Sequence, residues 1–199
     1  MGIIYKNSKI TKIKNYTPSM STPFIPLILA TARIERQSIK PAEFVFAEMK
    51  DRKDLETEFI DVGDFLFGKT VPSWEENELA NKWRNIAKKA DGFIIVSPEY
   101  NHSFPGELKI LLDSAYEEYK GKPIAICSVS KGGFGGVRMI EQLWNVCIEL
   151  GAIPVSETVQ FSRVENLFED SEIADNDKKK KKKEEVKEML DILTKMLMR

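Results

Sequence analysis

Histidine occurs once in this chain of 199 residues, at His102, and cysteine twice, at Cys127 and Cys147. Two cysteines build neither a disulfide framework nor a four-cysteine zinc site, and they fit a reducing, cytoplasmic compartment. With one histidine on a polar stretch, no convincing Ser/His/Asp set can be assembled, so nucleophilic hydrolysis loses support. No apolar run approaches the ~18 residues of a membrane span. No Walker-type glycine-lysine sequence is present, which argues against a nucleoside triphosphate site. Net charge is nearly absent too, at -1, which argues against a general nucleic-acid coat protein.

That small net charge hides segregation. Residues 1–23 hold four lysines and no acid, residues 24–163 hold 17 basic and 21 acidic residues, and residues 164–199 hold 9 and 10. The first stretch shows neither helical nor strand periodicity and reads as a disordered basic extension. An organellar targeting peptide is the lesser alternative, since such peptides also lack acids. Residues 24–199 then form one domain, of a length that buries a full core without a staple.

Within that domain, apolar runs alternate with helical periodicity. Ile25–Thr31, Phe93–Ser97 and Pro123–Val129 read as strands buried on both faces. Leu55–Val62 alternates, as a half-exposed strand does, and Pro154 places Ile153–Val159 at a sheet edge. Helices are expected over 37–50, 75–90, 105–119 and 137–150. Five strands alternating with helices predict an α/β, three-layer sandwich with a parallel sheet, and the flavodoxin-like order 2-1-3-4-5 puts the two less apolar strands outside. The tail reads as a charged, flexible insertion at about 164–185, holding the six consecutive lysines Lys178–Lys183. An amphipathic closing helix follows it.

In such a sheet, ligands bind beyond the carboxyl ends of the strands where strand order reverses. Three loops meet there. The first carries Thr31, Arg33, Arg36, Gln37 and Ser38 just before a helix, where free N–H groups and arginines favour an anion. Plain helix capping by Ser38, with solvated arginines, reads this loop equally well. The second, Pro98-Glu99-Tyr100-Asn101 running to Pro105-Gly106, offers a rigid wall for a flat ring. The third, Ser130-Lys131-Gly132-Gly133-Phe134-Gly135-Gly136, lets backbone N–H groups approach a ligand closely.

Together these loops resemble the NADPH-dependent FMN reductase family of flavodoxin-like proteins, which includes quinone reductases and azoreductases. The resemblance spans about residues 25–160. It is carried by Thr31-Ala32-Arg33 with Arg36-Gln37-Ser38, by Pro98-Glu99-Tyr100-Asn101 with Pro105-Gly106-Glu107-Leu108-Lys109 and Asp113, and by Ser130-Lys131-Gly132-Gly133 with Gly135-Gly136 and Arg138. Ala30 departs from the glycine usual at its place.

The resemblance implies an FMN-dependent oxidoreductase using NADPH or NADH as co-substrate. It passes a hydride through the flavin to a quinone, azo compound, free flavin or similar acceptor. Thr31, Arg33, Gln37 and Ser38, with Arg36 nearby, would hold the FMN phosphate. Pro98, Glu99, Tyr100 and Asn101 would border the ring, and Ser130, Gly132 and Gly133, flanking Lys131, would bond its pyrimidine edge. A homodimer or homotetramer is implied as well. No catalytic side chain or metal is called for, because the cofactor carries the chemistry. The alternative is an FMN-binding electron carrier or redox sensor with little NAD(P)H turnover. A flavin-free nucleoside-processing enzyme would need Glu99 as its nucleophile.

Overall fold

The computed structural model describes residues 22–198. All but the last two residues of the basic extension read at 1–23 therefore lie outside the described residues.

The apolar runs form strands because each is buried on both sides. β1 (Leu27–Leu29), β3 (Phe93–Pro98) and β4 (Pro123–Val129) are buried at every position. β2 (Phe59–Asp61) and β5 (Ile153–Phe161) flank them in one parallel sheet of order β2-β1-β3-β4-β5. The expected order and edges hold. β1 and β2 are shorter than expected, since regular pairing between them covers only Leu27–Phe59 to Leu29–Asp61.

One sheet face points Leu27, Leu29, Ile94, Val96 and Cys127 at α1 (Ile39–Lys50) and the last helix. The other points Ile28, Phe93, Ile95 and Ile126 at α2 (Glu78–Lys89), α3 (Gly106–Asp113) and α4 (Val137–Glu149). The helix expected over 105–119 stops at Asp113. There the Ser114 hydroxyl donates to the Leu111 carbonyl at 2.7 Å, and a 3-10 turn resumes at Glu117–Tyr119. On α4 the buried stripe runs through Met139, Ile140, Leu143 and Cys147, which turns Ile148 outward to 62% exposure.

The tail differs from the flexible insertion that its charge suggested. A short helix, α5 (Val164–Leu167), leads into a hairpin of β6 (Phe168–Glu169) and β7 (Glu172–Ile173), which buries Phe168 and Ile173. Asp170 and Ser171 form its turn with φ of 44° and 70°, as a two-residue hairpin loop requires. α6 then begins at Asn176 and runs to Leu197, so the whole lysine run is helical. Its start is set by Asp175, whose side chain accepts the N–H groups of Asp177 and Lys178 at 3.0 and 3.1 Å. Val186, Met189, Leu190, Leu193 and Leu197 seat it on the sheet. Among the described residues, no helix is long and apolar enough to cross a membrane.

Both cysteines belong to this core. Burial pushes the Cys127 and Cys147 thiols up to about 12. The native protein is therefore expected to leave a thiol-reactive dye unreacted at pH 8, with full reaction only after denaturation. A fast-reacting thiol in the native protein would contradict this packing.

Candidate functional site

The loops after β1, β3 and β4 converge on one cavity of about 480 Å³. Of the residues expected there, Arg33, Arg36, Gln37, Ser38, Pro98, Glu99, Tyr100, Ser130, Lys131 and Gly132 line it. The structure does not bring Thr31, Asn101 or Gly133 to its wall.

Each of those three has a physical reason. Thr31 is fully buried beneath the first loop. Its Oγ1 accepts the Arg33 N–H at 3.2 Å and lies 3.3 Å from the Tyr100 hydroxyl, so it ties the first loop to the second. Asn101 and His102 are the central pair of a tight turn, with φ of 50° and 66°, closed by reciprocal bonds between Tyr100 and Ser103 at 2.8 and 2.9 Å. Asparagine tolerates that left-handed conformation, and the turn carries its side chain away from the cavity. Gly133 lies on the far side of the glycine loop, facing Arg163.

The first loop needs no glycine at Ala30. That residue is fully buried, has no positive φ, and gives its N–H to the Val96 carbonyl at 3.0 Å. Glu107 on α3 fixes the loop two residues on by accepting the Ala32 N–H at 3.3 Å. Asp113, by contrast, pairs with Lys109 one turn away on α3.

Ser38 decides between the two readings of this loop. It precedes α1 in a helical conformation and makes no side-chain capping bond. Its Oγ is buried and has no hydrogen-bond partner, as is Glu99 Oε2. Buried polar atoms are almost always bonded, and these two share one cavity wall, where a ligand that enters would satisfy them. In the first turn of α1, Pro41 has no N–H and those of Lys40 and Ala42 go to the Gln37 and Ser38 carbonyls at 3.3 and 3.1 Å, which leaves the Ser38 and Ile39 N–H groups, at the positive end of the helix dipole, for an anion.

The charges around the cavity are largely paired. Arg36 forms a two-pronged pair with Asp61 at the end of β2, its Nη1 lying 2.9 Å from Oδ1, and also donates to the Thr31 carbonyl. Lys131 meets Glu165 at 2.6 Å, and Arg138 reaches Glu99 at 3.5 Å while lying over the Phe134 ring. Arg33, stacked 5.8 Å from the Tyr100 ring centre, is the cation of this wall without an ion-pair partner among the described residues.

On the third loop, the Ser130 N–H is already given to the Phe161 carbonyl at 3.1 Å. The loop's glycine backbone donor on the cavity wall is therefore that of Gly132, rather than that of Ser130 or Gly133. Gly135 and Gly136 have φ of 66° and 86°, and a Cβ at Gly135 would stand 2.7 Å from Gln160 Cβ, so this turn tolerates only glycine. Glu165 and Phe134 also line the cavity. Their composition alone gave no signal, since one comes from the tail and the other sits between glycines.

These features fit FMN. An anion-ready helix start with one free arginine suits its phosphate, and rigid Pro98 and Tyr100 with the Gly132 N–H group suit a flat, polar-edged ring. Comparison with known proteins agrees. Residues 25–166 match the model of the NADPH-dependent FMN reductase family. The chain is 32% identical over 136 residues to an NAD(P)H-dependent FMN reductase of Schizosaccharomyces pombe, covering 63% of this chain and 66% of that protein. It is 33% identical over 88 residues to a quinone reductase of Pseudomonas putida, covering 41% and 47%. These matches span about half to two thirds of the relatives' length. In fold it resembles FerB, the flavoenzyme NAD(P)H:(acceptor) oxidoreductase of Paracoccus denitrificans. The TM-score is 0.72 at 21% identity, over 87% of this chain and 98% of that one.

Proposed function

Because this chain belongs to the NADPH-dependent FMN reductase family, we propose that it is an FMN-dependent oxidoreductase that carries a hydride from NAD(P)H to a quinone, azo compound, free flavin or similar acceptor. The observation that carries this is the buried, unbonded Ser38 hydroxyl at the start of α1, inside a cavity walled by the other two loops. Bound FMN would supply the hydride-relay chemistry. The protein's own residues bind and orient.

Ser38 Oγ and the N–H groups of Ser38 and Ile39 receive the phosphate, and Arg33 neutralises it. Arg36, held by Asp61, fixes the loop and lends charge at one remove. Pro98 and Tyr100 set the plane of the ring, the latter clamped by Thr31. The N–H group of Gly132 serves its polar edge, where a donor stabilises negative charge on the reduced flavin. Glu99, held by Arg138, presents Oε2 to the same space. A cytoplasmic location is part of this reading, and so is a homodimer or homotetramer; the assembly is supported by Ile34 and Phe134, which line the cavity and stand 87% and 71% exposed.

Fluorescence titration with FMN tests the phosphate assignment. A charge-assisted bond to an ionised group is worth about 1.5–3 kcal/mol, so Arg33→Ala is expected to weaken FMN by about 10- to 100-fold. Its melting temperature should hold, since the side chain is exposed. Unchanged affinity would remove Arg33 from the phosphate site.

A further inference from the structure

A second cavity, of about 530 Å³, backs onto the first through the glycine loop. Gly132 lines one and Gly133 the other, and so do the neighbours Val164 and Arg163. Arg163, Lys178, Lys181 and Lys182 line the second cavity, and none of its lining residues is acidic. Lys178 pairs with Asp175, and Lys182 shares Glu185 with Lys181, so four cations face two carboxylates. Arg163 has no ion-pair partner among the described residues.

Two local preferences are broken to build this cleft. Lysines sit at the positive end of the α6 dipole, where anions are favoured, and Lys178/Lys182 and Lys179/Lys183 place like charges one turn apart. Arg163 holds φ at 49°, a left-handed conformation that a long side chain rarely adopts. It places the guanidinium beside Gly133. Such violations concentrate where a ligand is bound. The cleft is concave and adjoins the flavin cavity, which suits the far end of a molecule whose near end reaches that cavity better than it suits a flat membrane surface.

We propose that this cleft binds the phosphate-bearing adenosine end of the reduced nicotinamide nucleotide and selects NADPH over NADH through the 2′-phosphate. The selection rests on the proposed reductase function, whereas the binding of a phosphorylated adenosine can be measured without flavin. Calorimetric titration of the full chain with adenosine 2′,5′-bisphosphate and with adenosine 5′-monophosphate tests it. The bisphosphate is expected to bind at least about 10-fold more tightly, with an advantage that shrinks as salt rises. The double variant Lys178→Ala/Lys181→Ala should lose that advantage while its FMN affinity stays unchanged. Arg163→Asn, which keeps a residue tolerant of positive φ, should lose it as well. Equal affinity for the two nucleotides would overturn the proposal. So would an advantage that survives both variants, or lysine-dependent binding to anionic vesicles without nucleotide preference. If the bisphosphate binds as expected but FMN does not, the reductase reading fails and the cleft stands.

Discussion

Ser38→Asp is expected to abolish FMN binding, lowering affinity by at least about 100-fold, while the protein stays folded. Ser38 holds a helical conformation and makes no capping bond, so aspartate there gains only from the helix dipole, by about 0.3–1 kcal/mol. The same carboxylate would face the FMN phosphate across hydrogen-bond distance. Two like charges about 4 Å apart repel by about 4 kcal/mol at the effective dielectric of a protein surface. The repulsion exceeds the helix gain, and the two act on different observables. A melting temperature at or near the parent value, with no flavin fluorescence change on titration, is the expected pair of results. Parent-like FMN affinity in Ser38→Asp would show that the phosphate does not sit at the start of α1.

A chain ending at Asp175 is expected not to fold. It lacks α6, which supplies Val186, Met189, Leu190, Leu193 and Leu197 to the core on one sheet face. Burying each such side chain contributes about 1.5–3 kcal/mol, so their loss is of the order of the whole 5–15 kcal/mol stability of a typical domain. Leu27, Ile94, Val96 and Cys127 would lose part of their cover on that face. Circular dichroism of the shortened chain should show no cooperative melting transition. A sharp transition near that of the full chain would mean that α6 is an appendage rather than a layer of the sandwich.

The sheet was legible because its strands are buried on both faces and leave nothing but apolar residues, as in Phe93–Val96 and Pro123–Cys127. Pro154 marked an edge because it cannot donate to a ladder. The closing helix was legible in its apolar stripe, but the charged segment before it was not, since six lysines in a row look solvated and extended. What makes them helical is the Asp175 cap, the pairing with Glu185, and the apolar stripe downstream that commits the chain to α6. The hairpin before it carries Asp170 and Ser171 at positive φ, without the glycine that usually announces such a turn.

At the site, chain order and loop composition brought ten of thirteen residues to the cavity wall. Thr31 and Asn101 were expected there because their side chains suit a ligand. Both instead shape the loops, Thr31 by gripping Arg33 and Tyr100 and Asn101 by turning the chain. The pairing of Arg36 with Asp61 links residues 25 apart in sequence, and no local pattern shows it. Lys178, Lys181 and Lys182 reach the back of the glycine loop only because α6 returns across β4 and β5.

Absorbance of the purified protein mixed with FMN, followed under anaerobic conditions while NADPH and then a benzoquinone are added, tests the central claim most directly. The expected result is a visible flavin band that bleaches with NADPH and returns with the quinone, with NADPH consumed in proportion. A flavin band that stays unbleached would contradict it, as would a protein that takes up no FMN.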